Sequence, residues 1–312
     1  MLGVALSSGA GGLAYFIPAA ELAFKSTGQV VNVPTPSPTD LFTASPTPAP
    51  VANVSGAFTV LLLGSDDDSK FSSDHVLTQS MILVRVVPST KQVVMLSIPR
   101  DLYVPLSVGW SSKIDGAYSY GGAGAAIATV QQNFHVHIDD YIWVGLLGLI
   151  KVIDALGGVD VVTSHPVLDD FYPMDIFSSN PYGYQRVAVL PGPQHLDGVH
   201  AMQYVRSRHG DLASDLGRSQ RQQHVLMAIR QKAKHIPPAD LPVLAEAIGG
   251  ELKTSIKLER VAQLLPLAAS FDNPDAIQTI TLGSPYTHGG APEGSLTPDW
   301  GSILPLVRQY FP

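Results

Sequence analysis

The sequence predicts a mixed α/β domain on three observations. Short apolar runs end in Gly or acidic residues, apolar patterns of helical period alternate with them, and the chain is long enough for one large core. FTVLLLG at 58–64 reads as a buried strand, since a run of aliphatic and β-branched residues stops at Gly and acids. QSMILVRVV (79–87) and QVVMLSI (92–98) flank Pro88-Ser89-Thr90-Lys91 and so form a hairpin-like pair. Further strands are expected at 141–146, 159–163 and 277–282. Helical patterns cover 123–134, 145–156 closed by Gly157-Gly158, 198–206, 218–234, 239–248, 258–271 and 303–310. In the 218–234 helix, Val225, Leu226 and Ile229 turn inward, and Arg218, Arg221 and Gln222 share the face of the first turns.

Composition sets the surroundings of that domain. With 312 residues, 45% hydrophobic and 14% charged, the chain can bury a sizeable core. A net charge of −7 argues against broad nucleic-acid binding, so any anionic ligand must meet a local cluster of Arg. The absence of Cys excludes disulfides, thiolate chemistry and Cys-based metal sites. Residues 1–25 are mostly apolar and about long enough to cross a hydrocarbon core, which predicts a membrane anchor; a cleaved signal peptide or a buried helix is the alternative. Residues 26–55 are rich in Pro, Thr and Ser and read as a linker, or as a merely disordered N-terminus. The folded domain is expected over 56–312.

Four segments carry chemistry: LLLGSDDD (61–68), LSIPRDLYV (96–104), VIDALGGVDVVT (152–163) and YVRSRHGDLASDLGRSQRQQ (204–223). The last brings Arg206, Arg208, Arg218 and Arg221, with Asp215 and Gln222, to the start of a helix, where free backbone N–H groups also favour an anion. Arg offers a planar fork of donors to phosphate oxygens, so the cluster suits a diphosphate. A solvated helix face laced with Asp–Arg pairs is the competing reading. Arg206 and Arg208, two residues apart, point the same way if the segment is extended. Arg100 ends an apolar strand, as a ligand-binding group or as half of an ion pair with Asp101. Asp66 ends the first strand, where it can hold Mg²⁺ or cap a turn. The ten His residues show no metal-binding spacing, and neither a G-x-S-x-G elbow nor a P-loop is present.

With Ala117-Tyr118-Ser119-Tyr120-Gly121-Gly122, these segments resemble the LytR-CpsA-Psr family in order and spacing across 58–234. The resemblance implies an αβα sandwich with a central mixed β-sheet, in which sheet and helices enclose an apolar tunnel for a polyprenyl chain. It implies a phosphotransferase that moves a glycopolymer-phosphate from a polyprenyl-pyrophosphate carrier to a cell-wall sugar hydroxyl, on the outer side of the cytoplasmic membrane. Carried over by motif, Arg100, Arg206, Arg208 and Arg218 contact the pyrophosphate, Gln222 assists, Asp215 orients Arg groups and Asp66 ligates Mg²⁺. One position departs from the pattern: Gln79 stands where the family carries a second carboxylate, and an amide binds Mg²⁺ more weakly. That substitution keeps a second reading open, a catalytically weakened polyprenyl-phosphate binder acting as an envelope scaffold or sensor. The elements at 144–156 and 225–229 are expected to border the lipid cavity, with ordinary core packing as the alternative.

Overall fold

The computed structural model describes residues 56–65, 75–174, 176, 180, 182–207, 214–233, 251–257, 260 and 277–312. The expected anchor (1–25) and linker (26–55) lie outside the described residues, as do the helix expected at 239–248 and nearly all of that at 258–271. Among the described residues, no helix is long and apolar enough to cross a membrane.

The first three apolar runs form β1 (Phe58–Ser65), β2 (Thr78–Val87) and β3 (Gln92–Ile98), paired antiparallel in that order. A small hairpin, β4 (Tyr103–Pro105) and β5 (Ser111–Lys113), leads into helix α1 (Gly116–Phe134). This helix returns the chain to β6 (Asp140–Val144), parallel to β1. Helix α2 (Leu146–Ala155), β7 (Val159–Thr163) and the hairpin of β8 (Val167–Pro173) and β9 (Tyr184–Val189) follow. β10 (Gly192–Leu196) pairs back on β7 and leads to helices α3 (Gly198–Arg206) and α4 (Ser214–Ala233). β11 (Leu252–Thr254) and β12 (Ile277–Thr281) take the two edges of the central sheet. A last hairpin, β13 (Thr287–Gly289) and β14 (Leu296–Pro298), precedes helix α5 (Trp300–Tyr310). The sheet order is β11-β6-β1-β2-β3-β12, with β1–β6 and β3–β12 parallel and the rest antiparallel, so the sheet is mixed as expected.

Strand alternation builds two layers from one sheet. Leu61 and Leu63 of β1, Met81 and Leu83 of β2, and Tyr141 and Trp143 of β6 pack in one core with Tyr118, Val130 and Phe134 of α1 and Ile303 and Val307 of α5. Leu61 and Leu83 are fully buried, each contributing about 1.5–3 kcal/mol relative to exposure. Leu62, Ile82 and Ile142 point to the opposite face, toward α2, α3 and α4. Those helices hold together through a second core that includes Ile150 and Ile153 of α2, Val159 of β7, Met202 and Val205 of α3 and Val225 of α4. Helices therefore cover both faces of the sheet.

Two glycine pairs shape the helices. Helix α1 begins at Gly116, ahead of the expected 123, because the AYSYGG segment is helical up to a kink at Gly121 and Gly122, the latter with φ 64°. Helix α2 stops where Gly157 and Gly158 take φ of 72° and 86°, with the Gly158 N–H donating to the Ile153 carbonyl at 2.9 Å.

Candidate functional site

A cavity of about 370 Å³ separates the sheet from the layer of α2, α3 and α4. Leu62, Ile82 and Ile142 floor it; Leu149 and Val152 of α2, Met202 of α3, and Leu226 and Ile229 of α4 roof it. The elements expected at 144–156 and 225–229 thus do border a cavity. Its polar side chains, Ser65, Gln79, Ser80, Arg206, Arg218 and Gln222, belong to one end, where β1 finishes beside the start of β2.

Each of these groups is mounted from a different element. Arg206 is the last residue of α3 and is buried, its guanidinium 5.6 Å from the centre of the Tyr172 ring. The helix expected over 198–206 thus runs through to Arg206, so the condition of an extended segment, under which Arg206 and Arg208 would point the same way, does not hold at Arg206. The start of α3 is fixed by the VIDALGG segment, because the Asp154 carboxylate accepts from the Gly198 N–H at 2.7 Å. Asp197 caps the same turn, accepting from the His200 N–H at 2.8 Å. A Cβ at Gly198 would collide with the Ile150 carbonyl, so only Gly lets α3 approach α2 this closely. Asp154 and Gly198 were not among the expected site residues; their part is to aim Arg206.

On α4, Arg218 and Gln222 lie one turn apart and both line the cavity. Gln222 Oε1 accepts from Ser80 Oγ at 2.9 Å. Its neighbour Gln223 donates from Nε2 to Ser97 Oγ at 2.7 Å and to the Ile280 carbonyl at 3.1 Å, pinning the helix to β3 and β12. Arg221 is directed elsewhere than the expected shared face. It donates from Nε to the Tyr204 carbonyl at 2.7 Å and from Nη2 to the Ser207 carbonyl at 2.5 Å, satisfying the end of α3 beside Arg206. Arg208 and Asp66 lie outside the described residues, and Asp215 lies in the first turn of α4, where only the backbone is described.

Arg100 combines both roles expected of it. Its Nη1 donates to Gln79 Oε1, and its Nε stands 3.3 Å from Asp101 Oδ2. Asp101 Oδ1 also takes Lys113 Nζ at 2.9 Å. Behind them lies Asp115, buried, with its pKa pushed up to about 6 by burial and by Asp101, against the opposing pull of Arg100 and Lys113. Asp66, the carboxylate expected to hold Mg²⁺, lies outside the described residues, which leaves Gln79 as the other residue expected at that site. The one carbonyl oxygen of the Gln79 side chain already faces a guanidinium, whose positive charge opposes a cation at that oxygen, and among the described residues no three His, Asp or Glu side chains cluster.

A buried Arg pair closing an aliphatic hole, built by the segments noted above, agrees with the comparison of the whole chain with known families. The LytR_cpsA_psr family model matches residues 26–291. The chain belongs to the LytR_cpsA_psr family. Among relatives, Biofilm regulatory protein A of Streptococcus mutans serotype c (strain ATCC 700610 / UA159) is 37% identical over 56% of this chain and 44% of its own length. The polyisoprenyl-teichoic acid–peptidoglycan teichoic acid transferase TagV of Bacillus subtilis (strain 168) is 32% identical over 72% of this chain and 56% of its own. The chain thus spans 44% to 56% of these two relatives. The crystal structure of B. subtilis TagV superposes with a TM-score of 0.67 at 27% identity, covering 82% of this chain and 96% of that one. The structure of TagT bound to LI-WTA superposes with a TM-score of 0.62 at 27% identity, covering 81% and 89%. This LytR_cpsA_psr protein accordingly shares the mixed-sheet fold of those relatives.

Proposed function

We propose that this LytR_cpsA_psr protein transfers a glycopolymer-phosphate from a polyprenyl-pyrophosphate carrier to a sugar hydroxyl of the cell wall, on the outer side of the cytoplasmic membrane and held there by residues 1–25. The observation that carries the reading is the aliphatic cavity ending at Arg206, Arg218 and Gln222. An amphiphile with a hydrocarbon chain and an anionic head matches that lining, whereas a wholly polar substrate leaves the aliphatic walls unsatisfied. Arg206 and Arg218 grip the pyrophosphate, and Gln222, its Oε1 held by the Ser80 hydroxyl, donates from its amide nitrogen to a phosphate oxygen at the mouth. As the bond to the bridging oxygen breaks, charge gathers on the departing polyprenyl phosphate, and fixed guanidinium groups stabilise it without reorganising. Relatives named as polyisoprenyl-teichoic acid–peptidoglycan teichoic acid transferases support the same reaction class.

The bond from Arg100 to Gln79 favours a second reading, a polyprenyl-phosphate binder with weakened catalysis that acts as a scaffold or sensor. Mass spectrometry of lipid extracted from the purified protein, together with transfer of labelled glycan to isolated cell wall, tests both. Bound polyprenyl phosphate with transfer supports the transferase; bound lipid without transfer supports the scaffold; no bound prenyl lipid overturns both.

A further inference from the structure

A second cavity, of about 300 Å³, lies on the same face of the sheet as the aliphatic one. Ser97 of β3 pairs with Ile82 of β2 and Thr281 of β12 pairs with Ser97, so all three side chains share that face. The two cavities stand side by side, one over β1, β2 and β6 and the other over β3 and β12. Gln79, Ser80, Arg218 and Gln222 line both and form the wall between them. Their chemistry differs: the second is edged by the hydroxyls of Ser97, Ser219, Thr281 and Thr287 and by the carboxylate of Asp101.

This arrangement has a consequence for direction. In phosphoryl transfer the attacking and leaving oxygens lie roughly in line on opposite sides of the phosphorus. If the leaving polyprenyl phosphate departs into the aliphatic cavity, the attacking hydroxyl arrives from across the Arg218–Gln222 wall, which is where the second cavity lies. We infer that this second cavity is the acceptor subsite and holds the sugar ring whose hydroxyl receives the glycopolymer-phosphate, an assignment that rests on the transferase reading above. Its volume is at the small end of ligand cavities, about 300–1,000 Å³, which suits one ring and not a longer segment. The acceptor oxygen forms a bond to the phosphorus that carries the glycan. The bond from that phosphorus to the bridging oxygen breaks, its electron pair staying with the polyprenyl phosphate. The hydroxyl proton passes to Asp101, the carboxylate that lines this cavity. Arg100 at 3.3 Å and Lys113 at 2.9 Å hold this carboxylate in place, and the loose transition state places little demand on early proton removal.

The experiment fills the second cavity from two independent elements, with Thr281→Phe on β12 and Ser219→Leu on α4, and adds Asp101→Asn. Three quantities are read on the full chain: binding of sugar-free short-chain polyprenyl pyrophosphate, binding of the same lipid carrying a disaccharide, and transfer to uncrosslinked peptidoglycan strands as the strands are varied. The filled variants should bind both lipids as wild type does, while KM for the strands rises at least about tenfold. Asp101→Asn should lower kcat with KM little changed and flatten the acidic limb of the pH–rate profile. Weakened binding of the disaccharide lipid alone places the donor sugar in this cavity and overturns the acceptor assignment. Unchanged transfer in both filled variants overturns it too, as does wild type that binds both lipids and passes nothing to the strands. Wild type that binds neither lipid instead overturns the transferase reading from which the assignment starts.

Discussion

The Ser80 hydroxyl donates to the Gln222 amide oxygen at 2.9 Å, linking β2 to α4 in the wall between the two cavities. With Oε1 committed to Ser80, the Gln222 amide turns its N–H donors the other way, as a phosphate oxygen requires. Gln222→Glu should therefore weaken binding of a polyprenyl pyrophosphate more than Gln222→Ala does, because it adds a negative charge at the mouth. Titration calorimetry of the two variants checks the order.

The mounting of α3 predicts a stability effect at a distance from the cavity. Asp154→Ala removes the acceptor for the Gly198 N–H and should cost about 1 kcal/mol. Gly198→Ala should cost more, about 1–3 kcal/mol, since its methyl meets the Ile150 carbonyl and α3 must move. Urea unfolding gives both values, and lipid affinity should fall alongside as Arg206 shifts.

Asp115 predicts a pH dependence with a definite sign. Its folded pKa is raised to about 6, so it keeps its proton on folding while the unfolded carboxyl, near 3.8, has lost it. Its contribution therefore falls as pH rises from about 4 to about 6 and stays at the lower level above that, by up to about 3 kcal/mol. Asp115→Asn cannot ionise, and its amide oxygen can still accept from the Gly116 N–H. The variant should gain stability over wild type at pH 7 and little at pH 4, read from urea midpoints at each pH.

The aliphatic cavity gives a larger side chain room to enter without overpacking. Leu226→Trp should hold stability within about 1 kcal/mol of wild type, where a closed core would lose about 1–3 kcal/mol. The same variant should lose the prenyl chain while still binding inorganic pyrophosphate. Thermal unfolding and parallel binding of the two ligands measure both effects.

Much of this organisation is legible in the amino-acid sequence alone. The strands at 58–64, 79–87 and 92–98 stand out because buried central strands are almost continuously apolar, as β1 to β3 are. β8 and β9 escape such a reading because they form a hairpin outside the main sheet, with exposed Leu168, Phe171 and Tyr184 and charged Asp170 and Arg186, and so lack a clean apolar period. Residue spacing places Arg218, Arg221 and Gln222 on one helical face. It does not say that Arg221 turns to the carbonyls at the end of α3, which depends on where a separate helix stops. Gln79 is legible as a departure from a carboxylate, yet its engagement with Arg100 depends on β2 and β3 lying side by side. The second cavity is not legible as a cavity, since its Ser and Thr residues come from four separate segments, around 80, 97, 219 and 281–287, that only the fold brings together.

That Arg206 and Arg218 grip a prenyl pyrophosphate is tested most directly by titrating short-chain polyprenyl pyrophosphate into wild type, Arg206→Ala, Arg218→Ala and the matching Lys variants. Both arginines are buried, Arg206 against Tyr172, so each Ala variant is first checked for cooperative unfolding at the assay temperature. Loss of one charge-assisted contact, about 1.5–3 kcal/mol, should weaken binding by about ten- to a hundredfold, with Lys restoring part of it because a point charge lacks the bidentate fork. Folded Ala variants that bind the lipid as tightly as wild type would contradict the account.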